Sequence, residues 1–125
     1  GQFDKAREPY ILHPIRVMLR MNTTDEMIVA VLHDVVEDSP DWTLEKLAIE
    51  GFTPEIVEAI DALTKRPGET RIDAAKRLVS NSLARAVKLA DNAENMDLSR
   101  IANPTEKDFA RLKEYEEVRK ILLAR

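Results

Sequence analysis

His13 and His33 are the only imidazoles in this 125-residue chain, which has no cysteine. Any tightly held metal ion must therefore be bound by imidazole and carboxylate, without thiolate. His33 opens the string His33-Asp34-Val35-Val36-Glu37-Asp38-Ser39, one imidazole followed by three carboxylates. On a helix turning about 100° per residue, with His33 at zero, Glu37 falls near 40°, Asp34 near 100° and Asp38 near 140°. Ile28, Val29, Val31, Leu32, Val35 and Val36 fill the opposite arc, so one face is aliphatic and the other acidic. An acidic face is ordinarily a solvated one. Here no Lys or Arg lies between Thr24 and Asp41, so no cation three or four residues away relieves the repulsion. A divalent ion would. Two further segments offer ligands: His13-Pro14, which also reads as a plain helix start, and Lys88-Leu89-Ala90-Asp91, with Asn95 one turn later.

The elements that would position these groups read as helices with short punctuation. Pro14 suits the first turn of a helix running through Ile15, Val17, Met18 and Met21. Thr23 and Glu26 form a capping box for the helix that carries His33, which ends near Asp38 before Pro40. Thr43 to Glu50 is a short helix closed by Gly51. Thr53-Pro54 starts a helix carrying Ile56, Val57, Ile60 and Leu63. Helices follow over Arg71 to Val79 and Ser82 to about Asp97, and Asn103-Pro104 is read as the start of the last one. No segment alternates as a half-buried strand would, so the predicted class is all-α, a compact multi-helix bundle over residues 1–125 as one domain. Phe52, Phe109, Met18, Met21 and Met27 are expected in the core, and Trp42 is expected as a packing anchor. The last helix should pack on the domain, with a homodimer seam as the alternative.

Composition narrows the function. With 19 Lys+Arg against 23 Asp+Glu the formal charge is −4, which argues against a duplex nucleic-acid partner. No apolar run approaches the roughly 20 residues of a membrane span. The start, Gly1-Gln2-Phe3-Asp4-Lys5, lacks the apolar stretch of a signal peptide, so a cytoplasmic location is expected. There is no P-loop glycine pattern. No Ser/His/Asp set can form without taking one of the two histidines. Metal-assisted hydrolysis is what remains.

The order of the segments is more specific than any one of them. Tyr10-Ile11-Leu12-His13-Pro14, then His33 to Ser39, then Leu63-Thr64-Lys65, then Lys88-Leu89-Ala90-Asp91 with Asn95-Met96 resembles the HD superfamily of metal-dependent phosphohydrolases. Within it the sequence is most similar to the hydrolase domain of RelA/SpoT-type alarmone enzymes and to the small alarmone hydrolases. The resemblance covers roughly Lys5 to Met96. It implies one divalent metal, commonly Mn2+, held by His13, His33, Asp34 and Asp91. It implies Glu37 and Asp38 as the acidic pair that activates water, Asn95 at the sugar–phosphate, and Lys5 near the base. Where that family commonly has Arg-Leu-His-Asn after the aspartate, this chain has Asn92-Ala93-Glu94-Asn95.

The implied reaction is hydrolysis of the guanosine polyphosphate ppGpp at its 3′-pyrophosphate, with no room in this length for a synthetase domain. The alternative is an HD phosphohydrolase acting on another nucleotide or phosphoester, and a third reading is a metal-stabilised interaction module. Glu37 would accept the proton of the attacking water and Asp38 would orient it. Arg16, Arg20, Lys5, Lys65 and Lys88 are the candidate phosphate cations, each of which also reads as an ordinary solvated charge.

Overall fold

Small polar residues start the helices. Thr23, Thr43, Thr53, Thr70, Asn81 and Thr105 each accept a hydrogen bond from the backbone N–H three residues on, which satisfies one of the donors that a helix start leaves unpaired. The computed structural model describes residues 12–97 and 103–124. Among them the regular elements are α1 (Leu12–Leu19), α2 (Thr24–Asp38), α3 (Leu44–Ile49), α4 (Pro54–Leu63), α5 (Arg71–Leu78), α6 (Ser82–Asn95) and α7 (Glu106–Leu123). The all-α class predicted from the sequence is the observed one. None of these helices is long and apolar enough to cross a membrane.

The boundaries differ at two places. α1 stops at Leu19, before Met21. α7 begins beyond Asn103-Pro104: Thr105 caps it, and Asp108 returns a bond of 2.8 Å from the Thr105 N–H, a reciprocal box that a proline cannot join. At the end of α3, Gly51 takes a φ of 98°. The Gly51 N–H bonds to Ala48 O and the Phe52 N–H to Leu47 O, the paired closure for which the left-handed residue is needed.

The core runs through the middle of the bundle, with Val17, Val29, Leu47, Ile60, Val87 and Leu122 fully buried. α1 packs on α2 and α6, α2 also meets α4 and α6, and α7 covers α5 and α6. Ala30, Ala59, Ala75 and Ala84 are buried at these crossings, where a small side chain lets helices approach. Met18, Met21 and Phe52 pack against the core as expected. Two expected core residues do not, and neither does Trp42, which was expected as a packing anchor. Phe109 is 51% exposed, Met27 37% and Trp42 38%. Phe109 lies about 120° round the helix from Tyr115, off the stripe of Tyr115, Val118 and Leu122 that α7 buries. Trp42 instead takes the Lys46 ammonium 5.7 Å from its ring centroid.

Two guanidinium groups close the α4 end. Arg66 Nη1 donates to Asp61 O and Thr64 O, both at 2.8 Å. Arg77 of α5 donates to Ala62 O at 2.9 Å and Thr64 O at 3.0 Å, and grips the Glu69 carboxylate at 2.7 and 3.0 Å. Late carbonyls of the helix find donors this way, and the segment carrying Leu63-Thr64-Lys65 is fixed against α5.

Candidate metal centre

α1 and α6 cross where His13 meets Asp91. His13 Nε2 stands 2.7 Å from Asp91 Oδ1 across 78 residues of sequence. Lys88, one turn earlier on α6, donates to the other oxygen, Oδ2, at 3.1 Å. Burial pushes the Asp91 carboxyl up, but Lys88 and then His13 outweigh it and hold it well below the usual carboxylate range. Asp91 is therefore a fixed anion with both oxygens engaged.

The capping box of Thr23 and Glu26 sets where α2 begins; the arc that α2 buries holds Val29, Ala30, His33 and Asp34, while the aliphatic residues of the opposite arc, Ile28, Val31, Leu32 and Val35, are only half-buried. His33 Nδ1 lies 3.1 Å from the Ala30 carbonyl. A carbonyl only accepts, so Nδ1 carries the proton and Nε2 is directed elsewhere. It faces Asp34 Oδ1 at 3.3 Å. An imidazole lone pair beside a carboxylate oxygen is unfavourable unless positive charge lies between them, either a second ring proton or a metal ion. Asp34 Oδ2 is buried without a hydrogen-bond partner. Dehydration, the largest cause, raises the Asp34 carboxyl; His33 and His13 draw it down, while Asp91 and Asp38 push it further up. Those interactions place the α1–α6 pair and the α2 groups in one electrostatic neighbourhood.

Imidazole and carboxylate, on α2 and again at the α1–α6 pair, are donors of the kind that suit a divalent ion. Ligands at about 2.1 Å from one ion stand roughly 3.0–3.4 Å apart when they are neighbours. The two histidine–carboxylate spacings, 2.7 and 3.3 Å, are close to that range. All four expected ligands are buried, each 7 or 8% exposed. Among the described residues the group of ligand atoms lying within 4.8 Å of one another is His33, Asp34 and Glu37, and it does not include His13 or Asp91. The sequence reading put Glu37 on the water rather than among the ligands, and the geometry brings its carboxylate into this group. Glu37 is exposed as a residue, yet partial dehydration of its carboxyl raises it, with His33 opposing and Asp34 reinforcing.

The other expected residues are spread more widely. Asp38 is exposed on α2, Asn95 is half-buried one turn beyond Asp91, and Lys65 is exposed in the loop after α4. Lys5 lies outside the described residues. Arg16 is half-buried on α1. Arg20, on the face below His13, pairs at 3.1 Å with Glu94, a carboxylate only 6% exposed. Sequence reasoning missed Glu94 and also Asn92, whose Nδ2 donates 2.9 Å to the Tyr115 carbonyl and ties α6 to α7. The signal for both is their place in Asn92-Ala93-Glu94-Asn95, three polar residues among four on a buried helix turn. An open groove of about 310 Å³ between Met18, Met27, Ile28, Val31, Leu32 and Phe52 is apolar, and none of the expected ligands lines it.

Known proteins are similar to this chain in sequence. The guanosine-3′,5′-bis(diphosphate) 3′-pyrophosphohydrolase of Haemophilus influenzae is 36% identical over 110 aligned positions, covering 77% of this chain and 16% of that protein. That of Borreliella burgdorferi is 40% identical over 70 positions, covering 52% of this chain and 10% of its own. The chain belongs to the RelA/SpoT-type HD hydrolase family. A GTP pyrophosphokinase of Myxococcus xanthus is 32% identical over 100 positions, covering 77% of this chain and 12% of that protein. No family model matches. The chain thus spans between a tenth and a sixth of the length of these RelA/SpoT-type relatives.

Proposed function

We propose that this RelA/SpoT-type chain, one HD domain over residues 1–125, is a cytoplasmic hydrolase of guanosine polyphosphate, releasing pyrophosphate from the 3′ position. One observation carries the reading. His13 and Asp91 pair at 2.7 Å and their charges act on the Asp34 carboxyl beside His33, in a chain 36% identical to a protein named for that reaction.

His13, His33, Asp34 and Asp91 would hold the ion, Mn2+ in our reading. Such an ion supplies a Lewis acid for a phosphoryl oxygen and lowers the pKa of water beside it. Glu37 takes the water proton. Its raised carboxyl makes it a stronger base than an ordinary glutamate. Asp38 orients the water. The Ala30 carbonyl fixes the His33 ring and so keeps Nε2 in place. Asn95 meets the sugar–phosphate. Lys5, Arg16 and Lys65 supply cations for the phosphates and base.

The second reading, another nucleotide or phosphoester at the same centre, is favoured by one specific feature. Arg20 and Lys88, two of the cations expected at the phosphates, are paired with Glu94 and Asp91, and the Glu94 position departs from the family string. A nucleotide panel with Mn2+-loaded protein separates the readings. Pyrophosphate release from ppGpp supports the first. Intact ppGpp alongside phosphate release from a deoxynucleotide refutes it.

A further inference from the structure

Lys88 is the cation that the sequence of α2 lacks. Asp34, Glu37, Asp38 and Asp91 bring four carboxylates into one neighbourhood, and α2 carries no Lys or Arg to offset them. Lys88 Nζ reaches in from α6 and donates to Asp91 Oδ2 at 3.1 Å. Its side chain is only 28% exposed, and the Asp91 side chain 10%. The two partners sit one turn apart on a helix that Ala84, Val87 and Ala90 bury in the core, so the contact is held by the fold. An ammonium bound to a buried anion in this way has one of its three donors committed and much of its charge already offset.

We infer that Lys88 is a positioning residue, the resident counter-cation of the acidic centre, and not a contact for substrate phosphate. It holds Asp91 so that Oδ1 faces His13, and it offsets the carboxylate charge before a metal ion arrives. A like charge this close to the centre also opposes the entering ion. Lys88 and the metal are therefore competing cations for Asp91, and losing one strengthens the grip on the other. The inference rests on the metal-centre reading above.

The test uses the full chain as wild type, Lys88→Met and Lys88→Arg. Mn2+ binding is followed by calorimetry, melting is followed with and without Mn2+, and kcat and KM are measured wherever a substrate is turned over. In Lys88→Met we expect the metal-free protein to melt lower, Mn2+ to bind about tenfold tighter, and Mn2+ to raise the melting temperature more than in wild type. Lys88→Arg, which keeps the charge, should resemble wild type in both measurements. KM should stay within about twofold of wild type in both variants at saturating Mn2+, while kcat falls in Lys88→Met. A merely structural lysine would leave Mn2+ affinity unchanged or weaker, and either result overturns the inference. So does a large rise in KM with Mn2+ affinity unchanged, because that assigns Lys88 to the substrate. If wild type itself binds no Mn2+, the metal-centre reading fails first. A Lys88→Met protein that does not fold leaves Lys88→Arg to decide: wild-type Mn2+ affinity and KM support the inference, and a raised KM overturns it.

Discussion

Asp34→Asn should stabilise the metal-free protein while destroying its response to metal. Asp34 is 8% exposed, Oδ2 is buried without a partner, and the charges of Asp91 and Asp38 push against it. Leaving such a buried acceptor unsatisfied costs about 1–3 kcal/mol. Asparagine keeps the shape and removes the buried charge. It also replaces the unpartnered oxygen by an amide donor, which the neighbouring carboxylates attract rather than repel. A gain of about 1 kcal/mol raises the melting temperature of a chain this size by roughly 4 °C. Wild type has the larger response to metal. At a hundredfold excess of Mn2+ over Kd, binding adds about 2.7 kcal/mol, or roughly 10 °C by the same conversion. The two melting curves should therefore cross: the variant melts higher without metal, and wild type melts higher with it. Scanning calorimetry in EDTA and in Mn2+ reads both halves. An Asp34→Asn protein that melts below wild type in EDTA would sink the argument that the carboxylate is held against its own stability. A variant that follows wild type upward in Mn2+ would remove Asp34 from the ligands.

Three further outcomes follow from named contacts. Glu37→Gln should keep Mn2+ affinity within a few-fold and lose most hydrolytic activity; loss of Mn2+ in calorimetry would move Glu37 among the ligands, beside His33 and Asp34, where the 4.8 Å grouping already brings it. Glu69 is held down to about 2, chiefly by its hydrogen bond to Arg77. A depressed carboxyl contributes stability that is full above its ordinary value near 4.5 and is lost as pH falls toward 2. Glu69→Gln should thus melt below wild type at pH 7, with the gap closing between pH 4.5 and 2 in a pH series of thermal melts; a gap that persists at pH 2 refutes the linkage. Asn92→Ala removes the bond that ties α6 to the Tyr115 carbonyl and should cost about 1–3 kcal/mol, with faster amide exchange in α7 than in α2; equal exchange in the two helices would deny that the bond secures α7.

What could be read from the sequence, and what could not, follows from the range of the interactions involved. Helix starts at Thr23, Thr43, Thr53 and Thr70 were legible because a cap acts over three residues. The acidic face of α2 was legible because helical periodicity is local. The lack of a cation on α2 was also legible, and it raised the right question with an incomplete answer: the sequence offered a metal ion, and the structure adds Lys88, supplied from another helix 51 residues after Glu37. Arg20 was read as a phosphate cation because its helix face matches that of His13, and nothing local shows that Glu94 waits across the α1–α6 crossing. Phe109 was read as core from residue type alone, although the arc of α7 that gets buried is set by Tyr115, Val118 and Leu122. The ion-pair partners of Arg20 and Lys88 and the exposure of Phe109 escaped the sequence for one cause, a partner surface that only the packing supplies. The same crossing of α1 on α6 pairs His13 with Asp91 and Arg20 with Glu94. The His13–Asp91 and Arg20–Glu94 pairs are thus two rungs of one helix contact, and a substitution that shifts α1 along α6 should disturb both together.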